Sequence, residues 1–168
     1  MLNLAEIEAE VLHYASRIGA PGELLPTYGR SKDGGHPHIE VDSHSYHYVV
    51  VERGSELQRV TTADFETLLE EIFLDITSSL AFAYEGAHRI EEHDCRRMAL
   101  PRQIELLALL RPEWAERESR RHEEILRRNP FDDLSSVRAR LCKAFRDGGR
   151  PPDTAWADAC RRYPLPIG

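Results

Sequence analysis

The residue types best suited to chemistry crowd into one short stretch: His36, His38, Glu40, Asp42, His44 and His47. Imidazole and carboxylate groups are competent zinc or iron ligands. On an extended chain His38, Glu40 and Asp42 point to one side, but such neighbours stand roughly 6.5–7 Å apart. Their spacing matches no specific metal motif. A polar sheet face edged by turn histidines is the default reading, and a small metal-dependent enzyme using the His36–His47 cluster is the alternative left open. Elsewhere there is no G-x-S-x-G, P-loop, G-x-G-x-x-G, C-x-x-C or H-E-x-x-H. His122 and Glu123 lack the second histidine of a zinc-protease helix. His88, Arg89, Glu92, His93, Arg96 and Arg97 form a second polar cluster, suited to an anion clamp or, more simply, to structural ion pairs. No catalytic residue, metal or cofactor is assigned.

The elements that position the first cluster read as three short antiparallel strands followed by one long helix. Ile39 and Val41 alternate with His38, Glu40 and Asp42, the period of a half-buried strand. Tyr46 to Arg53 is rich in Tyr and Val, and Gly54-Ser55 fits a two-residue type II′ hairpin. If Asp42 faces Tyr46 and Arg53 faces Glu56, then Ile39, Val41, Val49, Val51 and Val60 share an apolar core face. The opposite face then carries His38, Glu40, Asp42, Tyr46, Tyr48, Val50, Glu52, Leu57 and Arg59. A one-residue slip at the Asp42–Ser45 turn would move Ile39 and Val41 onto the tyrosine face. Thr61 or Thr62 is expected to cap the following helix, whose stripe Phe65, Leu68, Leu69, Ile72, Phe73, Ile76 and Leu80 packs on the sheet.

Other helices cover this unit. Asn3 and Glu6 make a capping box ahead of a first helix that stops near Gly19. Tyr28 is placed to form a short fourth, edge strand. The region from about Ala87 to Leu110 reads as helix with a kink or break at Pro101. Pro112 opens a charged helix to Arg128, in which Glu116–Arg120 and similar i, i+4 pairs each contribute about 0.2–0.5 kcal/mol. Ser135 or Ser136 caps a further helix, and Pro151-Pro152 introduces a last one with Trp156. The expected fold is α+β, a small antiparallel sheet of three or four strands packed by a long helix with additional N- and C-terminal helices, in a single domain spanning residues 1–168.

Charge is unevenly spread over a net of −7: residues 1–92 hold 17 acids and 6 bases, residues 93–168 hold 12 acids and 16 bases. The acidic front half disfavours nucleic acid and favours a basic partner. The arginines from Arg111 to Arg128 alternate with glutamates and make no nucleic-acid stripe. No run of about 18 apolar residues is present, so no membrane partner is expected. An acidic amphipathic N-terminus and three scattered cysteines, Cys95, Cys142 and Cys160, fit a cytoplasmic chain. The face preferred for partner binding is the one bearing His38, Glu40, Asp42, Tyr46, Tyr48, Glu52 and Arg59. There tyrosines supply contact area and carboxylates steer a basic partner.

In order along the chain, PTYGRSKDGGHPHIEVD, YHYVVVERG, TTADFETLLEEIF, HRIEEHDCRR and RPEWAERESRRHEEILRRNPFDD resemble the Imm63 family of bacterial immunity proteins. The resemblance covers about residues 24–133 and leaves a C-terminal helical extension from about residue 134. It implies a cytoplasmic protein of polymorphic toxin systems that binds and neutralises a cognate toxin domain, without catalysis of its own. Many such toxins are basic nucleases, whose substrate site an acidic face can occupy. The family brings no catalytic residues to these positions. A metal-dependent enzyme and an adaptor or regulatory module remain the alternatives.

Overall fold

A computed structural model describes residues 1–166. They form two compact units, one of Met1–Leu80 with Gln103–Ala115, the other of Ala81–Arg102 with the residues from Glu116 on. The fold class is α+β, as the pattern predicts.

The first unit begins with α1 (Leu4–Ile18). Asn3 Oδ1 accepts from the N–H of Ala5 and Glu6 at 3.0 and 3.1 Å, and Glu6 returns the favour to Asn3 N–H at 2.7 Å. This is the capping box read from the sequence. Four strands follow: β1 (Thr27–Tyr28), β2 (Pro37–Val41), β3 (Tyr46–Glu52) and β4 (Ser55–Thr62), in the order β1-β2-β3-β4. The fourth strand is β1, and it runs parallel to β2, so the sheet is mixed rather than wholly antiparallel.

The register is the slipped alternative. Val41, not Asp42, pairs with Tyr46, and Ile39 pairs with Tyr48. The reason lies in Asp42, whose carboxylate accepts from the backbone N–H of His44 and Ser45 at 2.7 and 2.8 Å. That side-chain turn takes Asp42 out of the ladder and makes a four-residue connection of residues 42–45. At the other hairpin the turn residues are Arg53 and Gly54, both at positive φ (52° and 75°), flanked by the pair Glu52–Ser55. Two positive φ values define type I′, not the expected type II′. Leu57 is then left over between the pairs Val51–Glu56 and Val50–Gln58, a β-bulge. Tyr46, Tyr48 and Val50 therefore join Ile39, Val41 and Val60 on the inner face, while Val49 and Val51 turn outward.

Three further helices contribute to both units: α2 (Phe65–Ala87), α3 (Arg96–Leu110) and α4 (Pro112–Arg128). The cap of α2 is Asp64, which accepts from Thr67 N–H and Thr67 Oγ1 at 2.8 and 2.6 Å, because β4 extends through Thr62 and uses up the expected capping threonines. Helix α3 passes through Pro101 without ending. In the first unit Ile7 and Val11 of α1, Tyr46 and Tyr48 of the sheet, Leu68, Leu69, Ile72, Phe73 and Ile76 of α2, and Trp114 of α4 share one core. Full burial of each such aliphatic side chain contributes about 1.5–3 kcal/mol.

The second unit contains α5 (Ser135–Asp147) and α6 (Pro152–Arg162). Neither expected serine caps α5, whose N-cap position is Leu134. Residues 88–95, expected to be helical, form a turn closed by Asp94. The Asp94 carboxylate accepts from Arg96 (2.7 Å) and from the N–H of Asp132 (2.7 Å), and its own N–H donates to Asp133 at 2.9 Å. Arg97 holds Asp133 in turn, and Arg89 holds Glu85. The second polar cluster is thus a set of structural ion pairs.

Asp94 is 7% exposed, and the Arg96 guanidinium beside it, with those backbone donors, holds its carboxyl down to about 2. A carboxyl so lowered adds stability above its unfolded value near 3.9 and loses it as pH falls through the folded one. Acidification from about pH 4 to pH 2 is expected to remove about 2 kcal/mol from the second unit. Amide protection of α5 measured across this range checks it, and Asp94→Asn should be weaker at neutral pH and flat in acid.

Candidate functional site

The outer face of the sheet presents two chains of polar contacts. In the first, His38 Nε2 donates to Glu40 Oε1 at 3.1 Å. Arg59 NH1 donates to Glu40 Oε2 at 2.8 Å, and its Nε and NH2 grip Glu56 at 3.0 and 2.7 Å. Strand geometry alone brings these side chains together: His38 and Glu40 are two apart on β2, and Arg59 lies opposite Val49, which lies opposite His38. In the second chain, His47 Nε2 donates to Asp42 Oδ2 at 3.0 Å, while its Nδ1 lies 2.9 Å from Thr61 Oγ1. Glu40 and His47 are cross-strand partners, so the two chains run side by side.

The face grades from buried to open. His38 is 3% exposed, with its Nδ1 buried and unpartnered, whereas the Glu40 and Glu56 side chains are 40% and 43% exposed. The Arg59 guanidinium holds both glutamates below the usual carboxylate range. The backbone donors of the turn, with His47, hold Asp42 down to about 2. All three carboxylates are therefore ionised at neutral pH, and Arg59 offsets part of their charge. A half-exposed lattice of this kind adds little to stability. It does fix a pattern of charge in space before any partner arrives.

Of the residues expected on this face, His38, Glu40 and Arg59 come together, and Asp42 joins them through His47. Glu52 stands at the far end of β3, 3.9 Å from Arg53. Tyr46 and Tyr48 do not belong to it. They are 2% and 3% exposed; Tyr46 Oη accepts from Leu2 N–H at 2.7 Å, and Tyr48 Oη donates to Asp75 at 2.9 Å. The missed members are His47, Glu56 and Thr61. Parity counted from Glu40 across a four-residue turn, for which Asp42-Ser43-His44-Ser45 carried the signal, would have found His47; Glu56 also needs the Arg53-Gly54 turn, and Thr61 needs that turn and the Leu57 bulge.

The six-residue histidine and carboxylate cluster is dispersed. His38 is engaged with Glu40, His47 with Asp42 and Thr61, and His44 with Ser43 at 2.6 Å. Among the described residues no three His, Cys, Asp or Glu side chains are grouped to hold a metal ion. Nor is any described helix long and apolar enough to cross a membrane.

Fold and face together define an α+β protein with an open, charge-patterned sheet surface. The family model described as Immunity protein 63 (Imm63) matches residues 42–124, from the Asp42 turn to most of α4. Over these residues, just under half of its length, the chain is similar to the Imm63 family. No curated protein and no solved structure matches it. The match is narrower than the span of the resemblance. Asp42, His47, Glu56, Arg59 and Thr61 fall inside it, whereas His38 and Glu40, β1, α5 and α6 fall outside.

Proposed function

We propose that the chain neutralises a cognate toxin domain by covering it, with the outer sheet face as the contact surface and no chemistry of its own. The observation that carries this reading is the Imm63 match over residues 42–124, which takes in β3 and β4 of that face and α2, packed against the opposite side of the sheet. Occlusion needs shape and charge complementarity only, and Glu40, Glu56 and Asp42 supply the charge. They suit a basic toxin domain, a nuclease above all, since such a site is built to receive phosphates. The meeting place is the cytoplasm of the producing cell.

The partner face is amended from the sequence expectation. It comprises His38, Glu40, Asp42, His47, Glu56 and Arg59; it loses Tyr46 and Tyr48 to the core, and Glu52, which shares their parity on β3, to the other side of the sheet. The test is co-expression with the toxin encoded beside this gene. The wild-type chain is expected to rescue growth and to form a stable complex with the toxin. Reversing Glu40 and Glu56 to lysine should weaken the complex about 100-fold, mostly through faster dissociation where the pairs become desolvated. The thermal midpoint should barely move, because both side chains are half exposed. Full rescue by that double variant would remove the face from the proposal. Failure of the wild-type chain to bind or protect would remove the function.

A further inference from the structure

A groove of about 470 Å³ runs along the opposite edge of the sheet, outside the family match. Leu12 of α1, Leu25 and Tyr28 give it an apolar floor, Glu8 stands on one side, and Arg30 and Lys32 project beside β1. Its size falls within the range of ligand clefts.

Three features set it apart from ordinary surface. Residues 1–92 contain six bases, and four of them are engaged: Arg17 with the carbonyl of Leu110, Arg53 with Glu52, Arg59 with Glu40 and Glu56, and Arg89 with Glu85. Arg30 and Lys32 make no side-chain hydrogen bond or ion pair among the described residues, and both line this groove. In an acidic half with 17 carboxylates, two idle cations at one place are a standing attraction for an anion. Second, the Tyr28 hydroxyl is buried without a hydrogen-bond partner. Burial, with the Glu8 carboxylate next, pushes its pKa up, so it stays a proton donor lacking an acceptor. Third, among the described residues β1 pairs with β2 alone. Gly29 N–H donates to Ile39 O at 2.8 Å, and backbone groups of alternate strand residues address opposite edges. Thr27 and Gly29 thus face β2, and Tyr28 turns its N–H and C=O outward along the groove. Leu12, 51% exposed, offers apolar contact to whatever lies there.

An open backbone edge, an apolar floor and two cations are the parts that recognise an extended chain with apolar side chains on one side and a carboxylate near the end. We propose that this groove binds an extended acidic peptide segment of another protein, added as a strand beside Tyr28 with its carboxylate against Arg30 and Lys32. The site is separate from the outer sheet face and does not depend on what that face binds.

The test titrates the full chain with the capped pentapeptide acetyl-Asp-Val-Leu-Val-Asp-amide, read by calorimetry and by amide NMR shifts. Saturable binding at about 10–100 μM is expected for so short a strand, with shifts centred on residues 25–32. The counterpart with lysine in place of both aspartates should bind at least about tenfold more weakly. Arg30→Glu combined with Lys32→Glu should lower affinity for the acidic peptide by about the same factor. Leu12→Asp, at an exposed position, should do likewise without altering circular dichroism. No saturation by about 1 mM, equal binding of the lysine peptide, or shifts centred on β4 would each overturn the proposal. Arg30 and Lys32 would then serve only to keep the edge from pairing.

Discussion

Replacing Arg138 by alanine is expected to destabilise the protein by about 3–5 kcal/mol, the range for breaking a buried, hydrogen-bonded ion pair. The side chain is 1% exposed, the most enclosed charge among the described residues. Its guanidinium gives NH1 and NH2 to the two Asp132 oxygens at 2.6 and 3.0 Å, Nε to Tyr163 O at 2.8 Å, and NH2 again to Pro164 O at 3.0 Å. It also lies 5.9 Å from the centre of the Trp156 ring. One planar fork thus ties the start of α5 to the end of α6 and to the turn before α5. Alanine would strand a carboxylate and two carbonyls. Lysine keeps the charge but cannot form the fork, and should recover less than half of the loss. Urea unfolding gives the magnitude, and amide exchange should show α5 and α6 losing protection first. A loss below about 1 kcal/mol would mean that water replaces the guanidinium at little cost.

Phe73→Ala is the second large effect, again about 3–5 kcal/mol. Phe73 is fully buried on α2, its ring 6.2 Å from that of Trp114 at an interplanar angle of 17°, and 5.8 Å from that of Tyr14. Three aromatic rings from three helices meet there. Truncation opens a cavity that stiff neighbours cannot collapse into, so the cost adds a cavity term to the lost burial. Phe73→Leu keeps most of the volume and should cost no more than about 1.5 kcal/mol. Against a total stability of about 5–15 kcal/mol, the alanine variant should unfold at a clearly lower temperature in calorimetry. Equal losses for leucine and alanine would show that volume is not what matters at this position.

Helix existence was legible because apolar spacing and caps speak locally. The Asn3–Glu6 box, the α2 stripe and the Pro112 and Pro152 starts all lie where the pattern put them. Strand pairing was less so, because register depends on how many residues a turn consumes. Asp42 can end a strand or bridge a turn with its carboxylate, and composition does not separate the two. Arg53 hid the second turn, since an arginine at positive φ is uncommon and the adjacent Gly54 invited a different pair of central residues. Each miscount moved side chains between faces, so the tyrosines were placed outside when they belong to the core. The charged members survived better. His38, Glu40 and Arg59 share a face under both registers, because β2 keeps its own alternation and the Leu57 bulge restores the parity of Arg59. Burial followed less directly: β1 is two residues long, too short to announce itself, and only Tyr28 marked it.

The step at Leu57 bears on how these molecules behave toward one another at high concentration. Strand β4 spans eight residues, mostly exposed, and closes one margin of the sheet with no further strand paired to it among the described residues. A straight ribbon in that place would be a template for end-on stacking into fibres. With one surplus residue and a glutamate–arginine clasp across the step, the margin bends and carries charge. The protein can then reach high concentration without polymerising through that margin.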